Sequence, residues 1–220
     1  MEQTILTKEQ QLTLKEVGNS PLIRQLFYLT GGTALNEFYL KHRFSDDLDF
    51  FTNEANFPQI EVEALIEKIK TAIGAKEANY RRLYDRRIFF LPYAAGELKI
   101  EFTYYPFLPL NPRENKGPIL VDSFSDIVAG KWMALMDRIE SKDFVDFYFI
   151  IKEKNITLSD IRDLVKKKFD LSLEASTIGS ELAKVRTLDK LPNMIRPLTF
   201  EELKIFFANL SKNLEGELFK

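Results

Sequence analysis

Residues 29–51 read LTGGTALNEFYLKHRFSDDLDFF, and this stretch decides the fold. Phe27 to Thr30 is a short apolar run that ends at Gly31-Gly32, which predicts a buried strand and then a turn. From Thr33 to His42 the spacing of Leu35, Phe38 and Tyr39 predicts a helix. Leu48 to Phe51 predicts a second strand, in which Asp47 and Asp49 alternate with Leu48 and Phe50. Residues two apart on a strand project from the same side, so both carboxylates can meet one point. Crowded carboxylates repel, and one pKa rises unless a cation sits between them. A hard divalent cation is the natural occupant, because Mg²⁺ typically takes one or two carboxylates together with substrate phosphates. Gly31-Gly32 adds backbone N–H groups at a helix start, where an anion is favoured. Metal carboxylates beside an anion-binding turn are what phosphoryl or nucleotidyl transfer requires.

Working outward, residues 1–26 predict a polar helical lead-in that starts at a Thr7 cap and is punctuated by Gly18-Asn19-Ser20-Pro21. Residues 58–73 predict a helix with Pro58 at its first turn. Residues 77–84, 87–94 and 97–104 predict three strands, with a hairpin turn at Ala95-Gly96. In the last of these, Lys99 and Glu101 share one side and Leu98, Ile100 and Phe102 the other. If that strand lies beside residues 47–51, Glu101 becomes a third carboxylate for the same metal. Pro106, Pro109, Pro112 and Pro118 predict a loop or linker. Helices are predicted at 125–139, 142–154, 159–168, 174–187 and 199–213. The fold class is α+β: a mixed sheet with flanking helices over residues 1–118, then a helical half over 119–220 that packs on it.

Composition excludes several classes of chemistry. The 220 residues contain no Cys and one His, which removes disulfides, thiolate sites, Cys nucleophiles and His-based zinc centres. Lys and Arg total 31 against 33 Asp and Glu, a net charge of −2, so a wholesale basic nucleic-acid binder is disfavoured. No apolar run exceeds five residues, far short of the roughly 20 a membrane helix needs. Without a basic-then-apolar start, no signal peptide is read, and a cytoplasmic, soluble protein is expected.

The joint pattern of Gly-Gly-Thr (31–33), Asp-Leu-Asp-Phe-Phe (47–51) and a carboxylate on a later strand resembles the minimal nucleotidyltransferase fold. More narrowly, residues 30–35 and 42–51 are similar to the AbiEii/AbiGii nucleotidyltransferase toxin family. That family's helical signature is matched by Lys131, Ala134-Leu135, Arg138, Lys142-Asp143 and Asp146, so the resemblance spans about residues 27–150. It departs at Glu101, where Asp is more usual, and at Lys142, where Arg is common. The resemblance implies Mg²⁺- or Mn²⁺-dependent transfer of a nucleoside monophosphate from an NTP, with pyrophosphate leaving. It implies a toxin controlled by an antitoxin, and an acceptor that in several members is the 3′ end of tRNA. Asp47 and Asp49 would hold the metals, and Glu101 would join them and help activate the acceptor hydroxyl. Gly31, Gly32, Thr33 and Ser45 would contact the nucleotide. Lys131 would pair with its phosphates, and Asp143 is the acid expected to act from the helical half.

Other residues carry two readings each. Arg43 meets a nucleotide phosphate or anchors its loop through an acid. His42 is a helix-end residue whose protonated form the helix terminus favours. Asp146 is catalytic or ion-paired with Arg138. Arg81, Arg82, Arg86 and Arg87, with Tyr80 and Tyr84 between them, form either an RNA-contacting patch or a charged edge that resists aggregation. Lys166, Lys167 and Lys168 contact RNA or antitoxin, or stabilise a helix end. Two competing classes stay open: an enzyme that nucleotidylates a protein or small molecule, and an inactive module that binds a nucleotide or partner.

Overall fold

The computed structural model describes residues 4–212 and Leu214. They form two compact units. One holds the residues up to Tyr39 and those from Ser45 to Ser123; the other holds Leu40–Phe44 and the residues from Phe124 onward.

The first unit is a seven-stranded mixed sheet with helices. Its elements are α1 (Lys8–Gly18), α2 (Pro21–Leu26), β1 (Tyr28–Thr30), α3 (Gly31–Leu35), β2 (Asp47–Thr52), α4 (Gln59–Ile73), β3 (Asn79–Leu83), β4 (Arg86–Tyr93), β5 (Gly96–Tyr104), β6 (Glu114–Lys116) and β7 (Ile119–Val121). The strand order is β3-β4-β5-β2-β1-β7-β6. β2 runs antiparallel to β1 and parallel to β5, and β3, β4 and β5 form an antiparallel meander. Alternation sets the faces. Leu48, Phe50 and Thr52 are buried on one side of β2, as are Leu98, Ile100 and Phe102 on β5. Phe50 stacks on Phe102 at 5.2 Å, and Phe27 meets Phe102 edge-on at 5.1 Å. The opposite face carries Asp47 and Asp49.

The predicted cap at Thr7 is present: its hydroxyl accepts from the Gln10 N–H, and the Gln10 side chain accepts from the Thr7 N–H. Gln10 then reaches across the unit, donating from Nε2 to the carbonyls of Ser45 (2.7 Å) and Asp46 (3.2 Å), which lead into β2. Three predicted boundaries differ. The Pro-punctuated segment is not a linker throughout: β6 and β7 form a hairpin in it, and β7 pairs in parallel with β1. Such three-residue strands are too short to show a period. The helix read over 33–42 begins at Gly31 and becomes a π turn over Asn36–Leu40. The β4–β5 turn sits one residue early, at Ala94-Ala95.

The second unit is helical: α5 (Phe124–Asp137), α6 (Ser141–Lys154), α7 (Leu158–Phe169), α8 (Ala175–Ala183), a 3₁₀ turn (Lys184–Thr187) and α9 (Phe200–Lys212). Asn213, the last residue of the predicted final helix, lies outside the described residues. Trp132 packs edge-on against Phe147 at 5.5 Å, and Phe144 against Phe207 at 5.2 Å. Both Trp132 and Phe144 are fully buried, as the helical period of Trp132 predicts. Among the described residues no helix is long and apolar enough to cross a membrane.

Lys168 departs from its reading as a surface cation. It is buried between α7 and α5, with Nζ 2.5 Å from Asp126 Oδ1. Removing one partner of a buried pair leaves a charge without compensation, at about 3–5 kcal/mol, whereas an apolar pair of similar volume can replace both. Lys168→Met is therefore expected to lower unfolding free energy by about 3–5 kcal/mol in urea titrations, and Asp126→Leu/Lys168→Met to recover most of it.

Candidate active site

The register of the sheet assembles the predicted strand residues. Asp49 of β2 lies opposite Thr30 of β1 on one side and Glu101 of β5 on the other, and Asp47 lies opposite Lys99. Paired residues point to the same face, so Thr30, Asp47, Asp49, Lys99 and Glu101 share it. Lys99 Nζ is 2.9 Å from Asp47 Oδ2 and 4.0 Å from Glu101 Oε2. Burial pulls the Lys99 ammonium down, but the Asp47 hydrogen bond and the charges of Asp47, Asp49 and Glu101 outweigh it. Its pKa lies above the ordinary lysine value. Glu101 is buried and accepts two 2.6 Å hydrogen bonds from the Arg86 guanidinium and one of 2.7 Å from Thr103.

The anion-binding turn is built against the same strand. Gly31 has φ +71, and a Cβ there would collide with Asp49 Oδ2, so the backbone approaches this carboxylate as only glycine allows. Thr33 is fully buried and donates from Oγ1 to the Asp47 carbonyl at 2.5 Å, which ties α3 to β2. That hydroxyl is committed inside the unit. Ser45 is half-buried, with its carbonyl held by Gln10.

Asp47 and Asp49 suit a hard divalent cation: their donors are all oxygen, they share one face, and the Gly31 turn leaves backbone N–H groups beside them. Asp47, Asp49 and Glu101 together carry three negative charges against the two positive charges of Lys99 and Arg86, a balance that favours a cationic ligand. A three-carboxylate cage is not gathered. Among the described residues no three Asp, Glu or His side chains come together around one metal position, and Glu101 is occupied by Arg86 and Thr103.

Two residues that the sequence reading did not single out stabilise the turn. Asp122, just after β7, is buried and accepts from Thr30 Oγ1 at 3.1 Å. Arg113 lies 3.3 Å from the other Asp122 oxygen, donates to Asn53 at 2.8 Å and sits over the Tyr28 ring at 3.4 Å. Arg113 lies within the segment read as linker and Asp122 just past its end, and only the neighbouring Ile119–Val121 apolar run hinted at structure there.

In the helical unit, Lys131, Asp143, Asp146, His42 and Arg43 form one buried cluster. Arg43 grips Asp146 through Nε (2.6 Å) and a terminal nitrogen (2.8 Å), so it anchors its loop through an acid. Lys131 Nζ lies 2.5 Å from Asp146 and 3.4 Å from Asp143. Arg138 donates to Asp143 at 2.8 and 3.2 Å. The expected Arg138–Asp146 pair is thus replaced: Arg138 holds Asp143, and Asp146 is shared by Arg43, Lys131 and His42. Burial raises the Asp146 carboxyl, but Arg43 and Lys131 outweigh it and hold its pKa well below the ordinary value.

His42 corrects the helix-end reading. It is fully buried, with Nε2 2.8 Å from Asp146 Oδ1. Burial is the largest influence and takes its pKa below the ordinary imidazole value, against the opposing pull of Asp146. The neutral form is therefore favoured. Nδ1 has no partner among the described residues, which suits an unprotonated nitrogen with the proton on Nε2.

An imidazole with a native pKa below its unfolded value of about 6.5 binds fewer protons when folded. Its contribution to stability is complete above about pH 6.5 and declines as pH falls below that value. Asp146 keeps its contribution down to about pH 3.9 and loses it only as pH falls through its lower native value. The chain has a single His. The unfolding free energy from urea titrations is therefore expected to fall between pH 7 and pH 5, by at most about 1.4 kcal/mol per pH unit, and the dependence to flatten in His42→Gln.

A family model described as the nucleotidyl transferase AbiEii toxin of type IV toxin–antitoxin systems matches residues 18–214. The chain is 34% identical over 166 residues to the uncharacterized protein aq_aa25 of Aquifex aeolicus (strain VF5), covering 74% of this chain and 76% of that protein. Its fold is similar to JHP933 from Helicobacter pylori, with a TM-score of 0.56 and 22% identity over 96% of this chain and 93% of that one. It is also similar to MenT4, the nucleotidyltransferase toxin Rv2826c of Mycobacterium tuberculosis H37Rv, with a TM-score of 0.53 and 14% identity over 94% of this chain and 83% of that one. The chain belongs to the AbiEii nucleotidyl transferase toxin family of type IV toxin–antitoxin systems.

Proposed function

We propose that this nucleotidyltransferase moves a nucleoside monophosphate from an NTP to the 3′-hydroxyl of a tRNA, with Mg²⁺ as the metal. In the transfer, the acceptor oxygen bonds to the α-phosphorus and the bond to pyrophosphate breaks. The carrying observation is Asp47 and Asp49 on one face of β2, with Asp49 against the Gly31 turn and Glu101 in register. Asp47 and Asp49 would hold Mg²⁺, or Mn²⁺ in its place. When bound, the ion supplies charge neutralisation for the triphosphate. The Gly31 and Gly32 backbone and Ser45 orient the phosphates. Glu101, held in position by Arg86 and Thr103, would receive the acceptor proton. Lys131 and Asp143 support the reaction by fixing α5 to α6 around Asp146, a positioning role that their burial favours over direct phosphate contact.

Membership of the toxin family implies an antitoxin partner and an NTP substrate. The tRNA acceptor rests on the family resemblance, and the exposed Arg81 of the β3–β4 hairpin supports an RNA. The test is incubation with Mg²⁺, each α-³²P-labelled NTP in turn and total bacterial RNA. A labelled tRNA-sized band is expected, lost to background in Asp47→Ala/Asp49→Ala and in Asp49→Ala alone. Asp49→Ala alone should melt within a few degrees of the parent, because removing one of two crowded carboxylates relieves repulsion. A fully active Asp49→Ala protein would overturn the mechanism; label on protein instead of RNA would move the acceptor.

A further inference from the structure

Strand alternation splits the basic hairpin in two. β3 is an edge strand, and all of Asn79–Leu83 is exposed. Reading the register across the sheet, Thr30, Asp49, Glu101, Ile88 and Arg81 form one row, so Arg81 projects from the face that carries the carboxylates. Phe50, Phe102, Arg87 and Arg82 form the next row, on the opposite face. The other three guanidinium groups are engaged. Arg86 holds Glu101, Arg87 lies 3.7 Å over the Phe57 ring, and Arg82 donates to the Tyr84 carbonyl. Arg81 has no hydrogen-bond or ion-pair partner among the described residues.

We infer that Arg81 is a phosphate-contacting residue for the acceptor RNA, on the same sheet face as the carboxylates, two strands away from Glu101 and three from Asp49. This rests on the RNA-acceptor reading above. At about 4.8 Å per strand, the separation from Asp49 is roughly 14 Å. A few stacked nucleotides at about 3.4 Å per step cover that distance. A strand whose 3′ end lies at Asp49 thus has its backbone within reach of Arg81. An exposed aromatic ring at the end of the hairpin favours RNA over an acidic protein surface, because it offers base stacking as well as charge: Tyr84, in the β3–β4 turn, is 87% exposed. If the arginines only kept the sheet edge from aggregating, either face would serve equally. The inference requires the two faces to differ.

The test compares the full chain with Arg81→Ala and Arg82→Ala in anisotropy titrations of labelled tRNA from 50 to 200 mM salt, alongside the transfer assay. The expected result is a five- to tenfold weaker affinity for Arg81→Ala, with a salt slope shallower by about 0.7–0.9, one phosphate's share. Arg82→Ala is expected to stay within twofold of the parent. Unchanged binding in Arg81→Ala, with the parent still labelling RNA, overturns the inference and leaves the acceptor reading standing. Equal losses in both variants also overturn it, because edge charge alone then accounts for binding. A parent protein that neither binds nor labels RNA defeats the acceptor reading, and the inference with it.

Discussion

Two carboxylates on one face of one strand repel each other, and the sheet is arranged around that repulsion. Parallel pairing of β5 with β2 sets Lys99 beside Asp47 and Glu101 beside Asp49 in a single register. A slip of one residue would bring Leu98 and Ile100 to the polar face and force Lys99 and Glu101 into the aromatic core. The core therefore enforces the register, and the register delivers the countercharge. β4 continues the pattern: Arg86 lies opposite Thr103, two pairs along from Glu101 and on the same face, and reaches its carboxylate diagonally.

The helical unit answers a related problem differently. Its carboxylates, Asp143 and Asp146, are fully buried, and no solvent can screen them. They are held by Lys131, Arg43 and Arg138 and by a neutral imidazole. The sheet's carboxylates outnumber the cations that touch them, as suits a cationic ligand, whereas Asp143 and Asp146 are outnumbered by theirs.

Much of this was legible in the sequence because it depends on short periods. The alternation of Asp47-Leu48-Asp49-Phe50 and of Leu98 to Phe102 fixed both faces, and the helical spacing around Trp132 fixed its burial. What escaped depends on contacts distant in sequence. Nothing near Arg43 shows that its partner is Asp146, and nothing near Lys168 points to Asp126. Arg113 was hidden because proline spacing made its segment read as a loop, and Asp122 because it falls past Pro118, where the helical half was read, whereas β7 pairs with β1. The helix-end rule suggested a protonated His42, but burial outweighs a terminal dipole worth at most about 2 kcal/mol.

Residues 40–44 have a consequence for synthesis. They belong to the helical unit yet lie within the segment that builds the sheet unit. Arg43 and Asp146 are 103 residues apart. At about 5–20 residues per second, Arg43 leaves the ribosome roughly 5–20 s before the carboxylate that neutralises it. During that interval β1 and β2 can pair, but the loop between them carries an imidazole and a guanidinium destined for an interior not yet made. The helical unit cannot close until translation reaches α6, and a chain cut after Ser123 would keep Arg43 and lose every acid that holds it.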